Sequence, residues 1–170
     1  IVNDTIYGGT KNDTIYGNRG DDTIFSSAGN DIIDGGAGSD TLRFDGGTQR
    51  VVVNLGSDTL TYDGGSTLIA NKFINSWQSG GANQTGTVSN IENVDGTQFN
   101  DTIRGNNSIN TILAGAGDDY IYASLGDDKY DGGANSDLVD YSSSSTGINL
   151  TLLDSGATVN VSHNIGGVAS

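Results

Sequence analysis

Gly35-Gly36-Ala37-Gly38-Ser39-Asp40-Thr41-Leu42-Arg43 is the stretch whose reading decides the fold. Six residues suit a turn, because glycine reaches backbone conformations that other residues avoid and lets carbonyls point inward. The last three suit a short strand that shows one side chain, Leu42, to a core and two outward. Stepping back from Asp40 by nines gives Asp31, Asp22, Asp13 and Asp4, and a second run holds Asp101, Asn110, Asp119, Asp128 and Asp137 on the same spacing. Two residues after each comes a large apolar side chain: Ile6, Ile15, Ile24, Ile33 and Leu42, then Ile103, Ile112, Ile121, Tyr130 and Val139. An acid and a hydrophobe repeated in fixed register, with glycine between them, describe a coiled ladder of short strands.

If each turn reverses the chain, two periods make one coil and alternate acids stack on the same edge. One edge then carries Asp4, Asp22 and Asp40, the other Asp13 and Asp31. Carboxylates stacked at strand spacing, about 4.8 Å, repel unless neutralised. With inward carbonyls they are the hard oxygen ligands that Ca²⁺ gathers, whereas Mg²⁺ demands a smaller octahedral shell. Zinc is disfavoured, since His163 is the single histidine and cysteine is absent. One apolar residue per period buries little area against the entropy of ordering nine backbones, so folding is expected to be coupled to Ca²⁺.

The two runs are copies offset by 97 residues, so Asp4 matches Asp101 and Asp40 matches Asp137. The register extends to Phe44 with Tyr141, and to Val51, Val53 and Leu55 with Ile148, Leu150 and Leu152. Four segments follow: a first array over 1–44, a strand-rich intervening segment over 45–95, a second array over 96–141, and the start of another intervening segment over 142–170. Val51 to Leu55 and Thr59 to Tyr62 read as half-buried strands. The opening Ile1-Val2-Asn3-Asp4 already lies inside a repeat, so the sequence reads as a piece of a longer chain.

Composition narrows the function. The 170 residues include 27 Gly, no Pro, Cys or Met, and 21 acids, of which only Glu92 is glutamate. Almost no helix is expected. A formal charge of -14 disfavours nucleic acid and anionic membrane and favours metal cations. No apolar run is long enough to span a bilayer as a helix. Pairing like-edge acids gives about six ions, which would bring the -14 charge to -2. Aspartates and asparagines can instead simply satisfy turn amides, but nine acids in ten positions favour calcium. Asp21, Asp118 and Asp127 are assigned to the solvated rim. Trp77 is either a loop-closing side chain or a platform for a sugar.

These residues resemble the RTX, or hemolysin-type, calcium-binding repeat, GGxGxDxUx. Gly35 to Leu42 fits every fixed position, and Gly20-Asp21-Asp22-Thr23-Ile24 and Gly117-Asp118-Asp119-Tyr120-Ile121 fit the second half. Ile91-Glu92-Asn93-Val94 through Asn100-Asp101-Thr102-Ile103 resembles the connector between such arrays. The resemblance implies an all-β, right-handed parallel β-roll or β-helix solenoid, with two nonapeptide arrays joined by a strand-rich insert. It implies calcium between turns of one edge, bound by carbonyls of Asn18 and Gly20 with Asp22 and of Gly35 and Ala37 with Asp40. The counterpart site uses Gly115, Gly117 and Asp119 with Gly132, Ala134 and Asp137. Asn110 lacks a charge, and Ser26, Ala114 and Ala123 replace the first glycine, so the Asp13/Asp31 and Asn110/Asp128 sites are expected to be weaker. Asp4 is expected to lack a full neighbour.

The resemblance also implies type I secretion of an unfolded chain that folds on meeting extracellular calcium. The module is then non-enzymatic, a structural or adhesive array of a large secreted or cell-surface protein whose partners are further copies or domains of the same chain. The alternatives are an accessory module of a secreted protease, lipase, polysaccharide epimerase or cytolysin, or a carbohydrate-binding module that uses Trp77 on a polysaccharide or cell-surface ligand.

Overall fold

A computed structural model describes residues 2–26, 28–44, 46–62, 65–75, 83–143 and, as backbone, 158–162. Trp77, His163, Ile148, Leu150 and Leu152 lie outside these residues. Among the described residues every regular element is a strand.

The first array gives five strands of three residues, β1 (Thr5–Tyr7), β2 (Thr14–Tyr16), β3 (Thr23–Phe25), β4 (Ile32–Asp34) and β5 (Thr41–Arg43). Each strand shows its middle residue to the interior, and Ile15, Ile24, Ile33 and Leu42 are buried. The turns reverse the chain, so odd and even strands fall in different sheets. Thr5 pairs with Thr23 and Thr23 with Thr41 in one sheet, and Thr14 pairs with Ile32 in the other, all parallel. The eighteen-residue coil read from the sequence is the coil observed.

The intervening segment supplies β6 (Val52–Asn54), β7 (Leu60–Tyr62), β8 (Ser66–Leu68), β9 (Lys72–Asn75), β10 (Gln84–Ser89) and β11 (Asn93–Thr97). The second array and its sequel supply β12 (Thr102–Arg104), β13 (Thr111–Ala116), β14 (Tyr120–Tyr122), β15 (Lys129–Ala134), β16 (Ser136–Asp140) and β17 (Thr158–Ser162). One sheet runs β1-β3-β5-β11-β13-β15, and the other runs β17-β16-β14-β12-β6-β9-β10-β4-β2. The protein is thus an all-β solenoid of parallel sheets. Its coil continues directly from β5 to β11 on one side.

On the other side, three strands fill the place of one. β10 pairs parallel with β4, β6 pairs parallel with β12, and β9 runs antiparallel between them. The Phe73 ring of β9 lies across Gly86 of β10, where an added Cβ would fall 2.1 Å from the ring. Phe73 also meets Phe44 edge to face at 5.5 Å between centroids. The β7–β8 hairpin covers the outer face of β6, so Val52, Leu60 and Leu68 form a second small core. Val52 to Asn54 is therefore buried on both faces rather than half-buried as its alternation suggests.

The main core is a column of aliphatic side chains that includes Ile24, Ile33, Leu42, Val94, Ile103, Ile112, Ile121 and Val139. β13 and β15 are longer than three residues because their glycine turns also pair, Gly115 with Gly133 and Ala116 with Ala134. Arg19 and Ala37 make the same contact as a single bridge in the first array.

Candidate metal centre

Two ladders of side-chain hydrogen bonds run along each edge of the coil. In the outer ladder the residue before the clocked position accepts from the amide eighteen residues later: Asn3 from Asp21, Asp21 from Ser39, Asn100 from Asp118 and Asp118 from Ser136, at 2.9–3.1 Å. This is the turn-satisfying use of Asn and Asp. The exposed Asp21 and Asp118 belong to it, in keeping with their place on the rim.

The inner ladder runs the other way. Asp4 N–H donates to Asp22 Oδ1 (2.7 Å), Asp22 N–H to Asp40 Oδ1 (2.8 Å), and Asp13 N–H to Asp31 Oδ1 (3.0 Å). In the second array Asp101 N–H donates to Asp119 Oδ1 (2.7 Å) and Asp119 N–H to Asp137 Oδ1 (3.0 Å). Each such bond uses one oxygen of a carboxylate. The other oxygen, Oδ2, of Asp13, Asp22, Asp40, Asp119 and Asp137 is shielded from solvent and has no hydrogen-bond partner. A buried acceptor left unpaired is costly, and a buried carboxylate oxygen more so.

Glycine shapes the space these oxygens face. A Cβ on Gly17 would lie 2.5 Å from Asp22 Oδ2 and 2.3 Å from the carbonyl oxygen of Gly35. A Cβ on Gly132 would lie 2.4 Å from Asp137 Oδ2. At Gly17 a carbonyl and a carboxylate oxygen, and at Gly132 a carboxylate oxygen, thus approach the backbone where only glycine leaves room. Among the described residues no three His, Cys, Asp or Glu side chains gather at one point. An ion here would have to draw the rest of its shell from backbone oxygens, which suits calcium and not zinc.

The RTX calcium-binding nonapeptide repeat model matches the chain in four copies, over 2–33, 19–48, 89–108 and 104–139, together more than half its length. The chain belongs to the RTX repeat family. Comparison with curated proteins returns no match. As an RTX repeat domain it is a calcium-binding structural module, and the RTX β-roll is not a catalytic fold. RTX proteins are typically secreted. Among the described residues no helix is long and apolar enough to cross a membrane.

Not every RTX position keeps an open oxygen. Asp101 Oδ2 accepts from the Thr97 amide (2.6 Å) and hydroxyl (3.0 Å), and its Oδ1 accepts from Val51 N–H (2.8 Å). Asp128 Oδ2 accepts from the hydroxyls of Ser124 (3.0 Å) and Tyr130 (2.6 Å). Asn110 turns its own amide inward, Nδ2 donating to the Glu92 carbonyl (2.8 Å) and Oδ1 accepting from Asn106 N–H (2.9 Å). Thr97, Asn106 and Ser124 each stand four residues before the position they serve, where Gly9, Gly36, Gly115 and Gly133 precede Asp13, Asp40, Asp119 and Asp137. That spacing is legible in the sequence. The Thr97 and Ser124 hydroxyls fill the inner oxygen. Asn106 serves Asn110 by its backbone N–H and by accepting from Nδ2. A glycine leaves the oxygen open, although Asn18, before Asp22, turns away to the Tyr16 carbonyl.

Of the backbone groups expected as ligands, Gly35 O faces Asp22 as described. Asn18 O accepts from Ala37 N–H, Ala37 O from Gly20 N–H, and Ala134 O from Gly117 N–H, so these carbonyls also stitch coil to coil. Gly20 O and Gly115 O each lie 1.9 Å from where a Cβ would sit on Gly38 and Gly133. Asp4 is exposed, and Asp31 is buried. Gly17 and Glu92 also lie here, and both fall on the clock: Gly17 stands five residues before Asp22, as Gly35 does before Asp40, and Glu92 nine before Asp101.

Electrostatics agree with a site built for a cation. Burial raises Asp119 to about 7, with Asp101 and Asp137 adding to it. Burial raises Asp101 to about 6. Asp40, Asp137 and Glu92 are also raised, chiefly by burial. Without an ion these groups hold protons more tightly than free carboxyls do.

The 97-residue copies do not share an edge. Asp4, Asp22 and Asp40 precede strands of the six-stranded sheet, while Asp101 and Asp119 precede, and Asp137 lies within, strands of the nine-stranded sheet. From β1 to β11 the coil passes through an odd number of strand positions, with β6, β9 and β10 counting as one, so the copy begins on the other sheet.

Proposed function

We propose that calcium binding at these edges is what folds the module, and that the module serves as a structural, adhesive array of a large secreted protein. The supporting observation is the set of buried, unpaired Oδ2 atoms of Asp22, Asp40, Asp119 and Asp137. Ions at Asp22/Asp40 with Gly35, and at Asp119/Asp137 with Gly132, are the strongest sites, and Asp13/Asp31 is a further one. Asn18, Gly20, Ala37, Gly115, Gly117 and Ala134 complete the shells through backbone oxygens. Asp4 closes the ladder at one end. Asp101, Asn110 and Asp128 bind weakly, because protein hydrogen-bond partners already occupy their inward atoms, so the total falls below six. An array and the segment after it make one tandem unit, so 1–44 with 45–95 is one unit and 96–141 with 142–170 belongs to its copy.

Extracellular calcium modules bind at about 10⁻⁴–10⁻³ M, which suits a chain that stays unfolded in the cell and folds outside it. The test is a circular-dichroism titration with CaCl2 after EGTA treatment. Strand signal should appear cooperatively with calcium, and a full strand signal in the stripped chain would overturn the coupling. An accessory role beside a secreted enzyme or toxin is decided by the sequence flanking the 170 residues. Glycan binding lost in Trp77→Ala would support a sugar site.

A further inference from the structure

Glu92 stands nine residues before Asp101 and two before Val94, one period ahead of the second run, and it continues the inner ladder of the first edge. Asp40 N–H donates to Glu92 Oε2 (3.0 Å), as Asp22 N–H does to Asp40. The backbone follows suit, with Glu92 and Asn93 N–H both donating to Asp40 O and Asn93 pairing with Thr41. Ser89 pairs with Asp34, which sets Asn90 opposite Gly35. A three-residue turn, Asn90-Ile91-Glu92, therefore replaces the six of the array, with Asn90 in the place of Gly35 and Glu92 in the place of Asp40.

The oxygens repeat the arrangement at Asp22. A Cβ on Gly35 would fall 2.1 Å from Asn90 O and 2.7 Å from Asp40 Oδ2, against 2.3 Å and 2.5 Å for Gly35 O and Asp22 Oδ2 at Gly17. Asp40 is fully buried, and its Oδ2 has no partner. Glu92 is half-buried beside it. A turn three residues shorter than its neighbour meets the ladder with a side chain one methylene longer.

We propose that calcium is also held where the first array meets the end of the insert, by Asp40, Glu92 and the carbonyl of Asn90. This rests on the reading that inward aspartate oxygens bind calcium, and extends it to a glutamate that follows a turn three residues shorter than those of the array. The ion ties the coil that ends at β5 to the strand that follows 52 residues later in the ladder. Loading the first array and seating β10 and β11 then become one event.

Calcium titration calorimetry on the whole chain tests it. Glu92→Gln should lose one ion from the isotherm, while Asp21→Asn, which removes a nearby rim charge, should keep the full count. Equal counts and affinities in Glu92→Gln and the parent would overturn the site. A parent chain that binds no calcium at all would instead overturn the reading beneath it. Crystals of the parent loaded with terbium give a readout independent of how the variant folds. An anomalous peak between Asp40 and Glu92 supports the site, and peaks at Asp22 and Asp137 without one there reject it.

Discussion

A carboxylate has two oxygens, and at the inner positions of this coil they do different work. Oδ1 caps the amide of the preceding coil, a task an asparagine performs equally well. Oδ2 faces inward without a donor, and only there does the charge matter. Asn110 is the natural experiment: its Nδ2 reaches the Glu92 carbonyl, so an amide satisfies itself where a carboxylate cannot. Asp119→Asn should therefore bind one calcium fewer while making the calcium-free chain more stable, by about 1–3 kcal/mol. Thermal melting in EGTA and calorimetry in calcium measure the two effects. Loss of stability in both conditions would contradict the account. The converse exchange is Thr97→Gly. It strips the amide-side hydroxyl from Asp101 Oδ2 inside a cradle where a Cβ on Gly96 would meet Ala114 O at 2.3 Å and Asp101 Oδ2 at 2.6 Å. The backbone N–H at this position still donates to Oδ2, so the variant should melt lower without calcium, and an unchanged melting point would reject a stabilising role for the hydroxyl.

Strands in this protein are set by two kinds of information. In the arrays, acid, hydrophobe and glycine recur locally, so strand positions, the eighteen-residue coil and the division of acids between two edges could all be read from Gly35 to Arg43 and its copies. The insert has no such code. β6 pairs with β12, which has not yet appeared in the chain, and β9 runs antiparallel with its Phe73 packed across Gly86. Such pairings depend on shape between distant segments, and alternation alone could not reveal that Val52 is covered by Leu60 and Leu68. Glu92 escaped for a different reason: its place is legible by carrying the clock back nine residues from Asp101, but glutamate stands where aspartate is expected and a three-residue turn precedes it. Gly86→Ala tests the insert's packing. With a Cβ about 2 Å from the ring, the substitution should cost about 1–3 kcal/mol of stability in saturating calcium. In a Phe73→Leu background the added cost should shrink. An equal cost in both backgrounds would mean that the glycine serves some other need.

At the scale of the whole molecule the columns of acid behave as a store of protons or of calcium. The raised carboxyls, Asp119 to about 7 and Asp101 to about 6, with Asp40, Asp137 and Glu92 also raised, bind protons more tightly folded than unfolded. Between the unfolded value, about 4 for these side chains, and the folded ones, the folded chain carries the extra protons, so stability falls as pH rises. Their contribution is fully present below the unfolded value and is lost as pH climbs through about 6–7. The calcium-free chain should accordingly be more structured near pH 5 than near pH 8. Calcium reverses the trend, because an ion must displace those protons, and its affinity should grow over the same interval as protons are released. Melting curves of chelator-stripped, desalted protein across that range, with and without CaCl2, check both halves. A stripped chain that gains stability on going from pH 5 to pH 8 would show that the inward carboxylates tolerate one another without a cation, and the electrostatic basis of the calcium requirement would be gone.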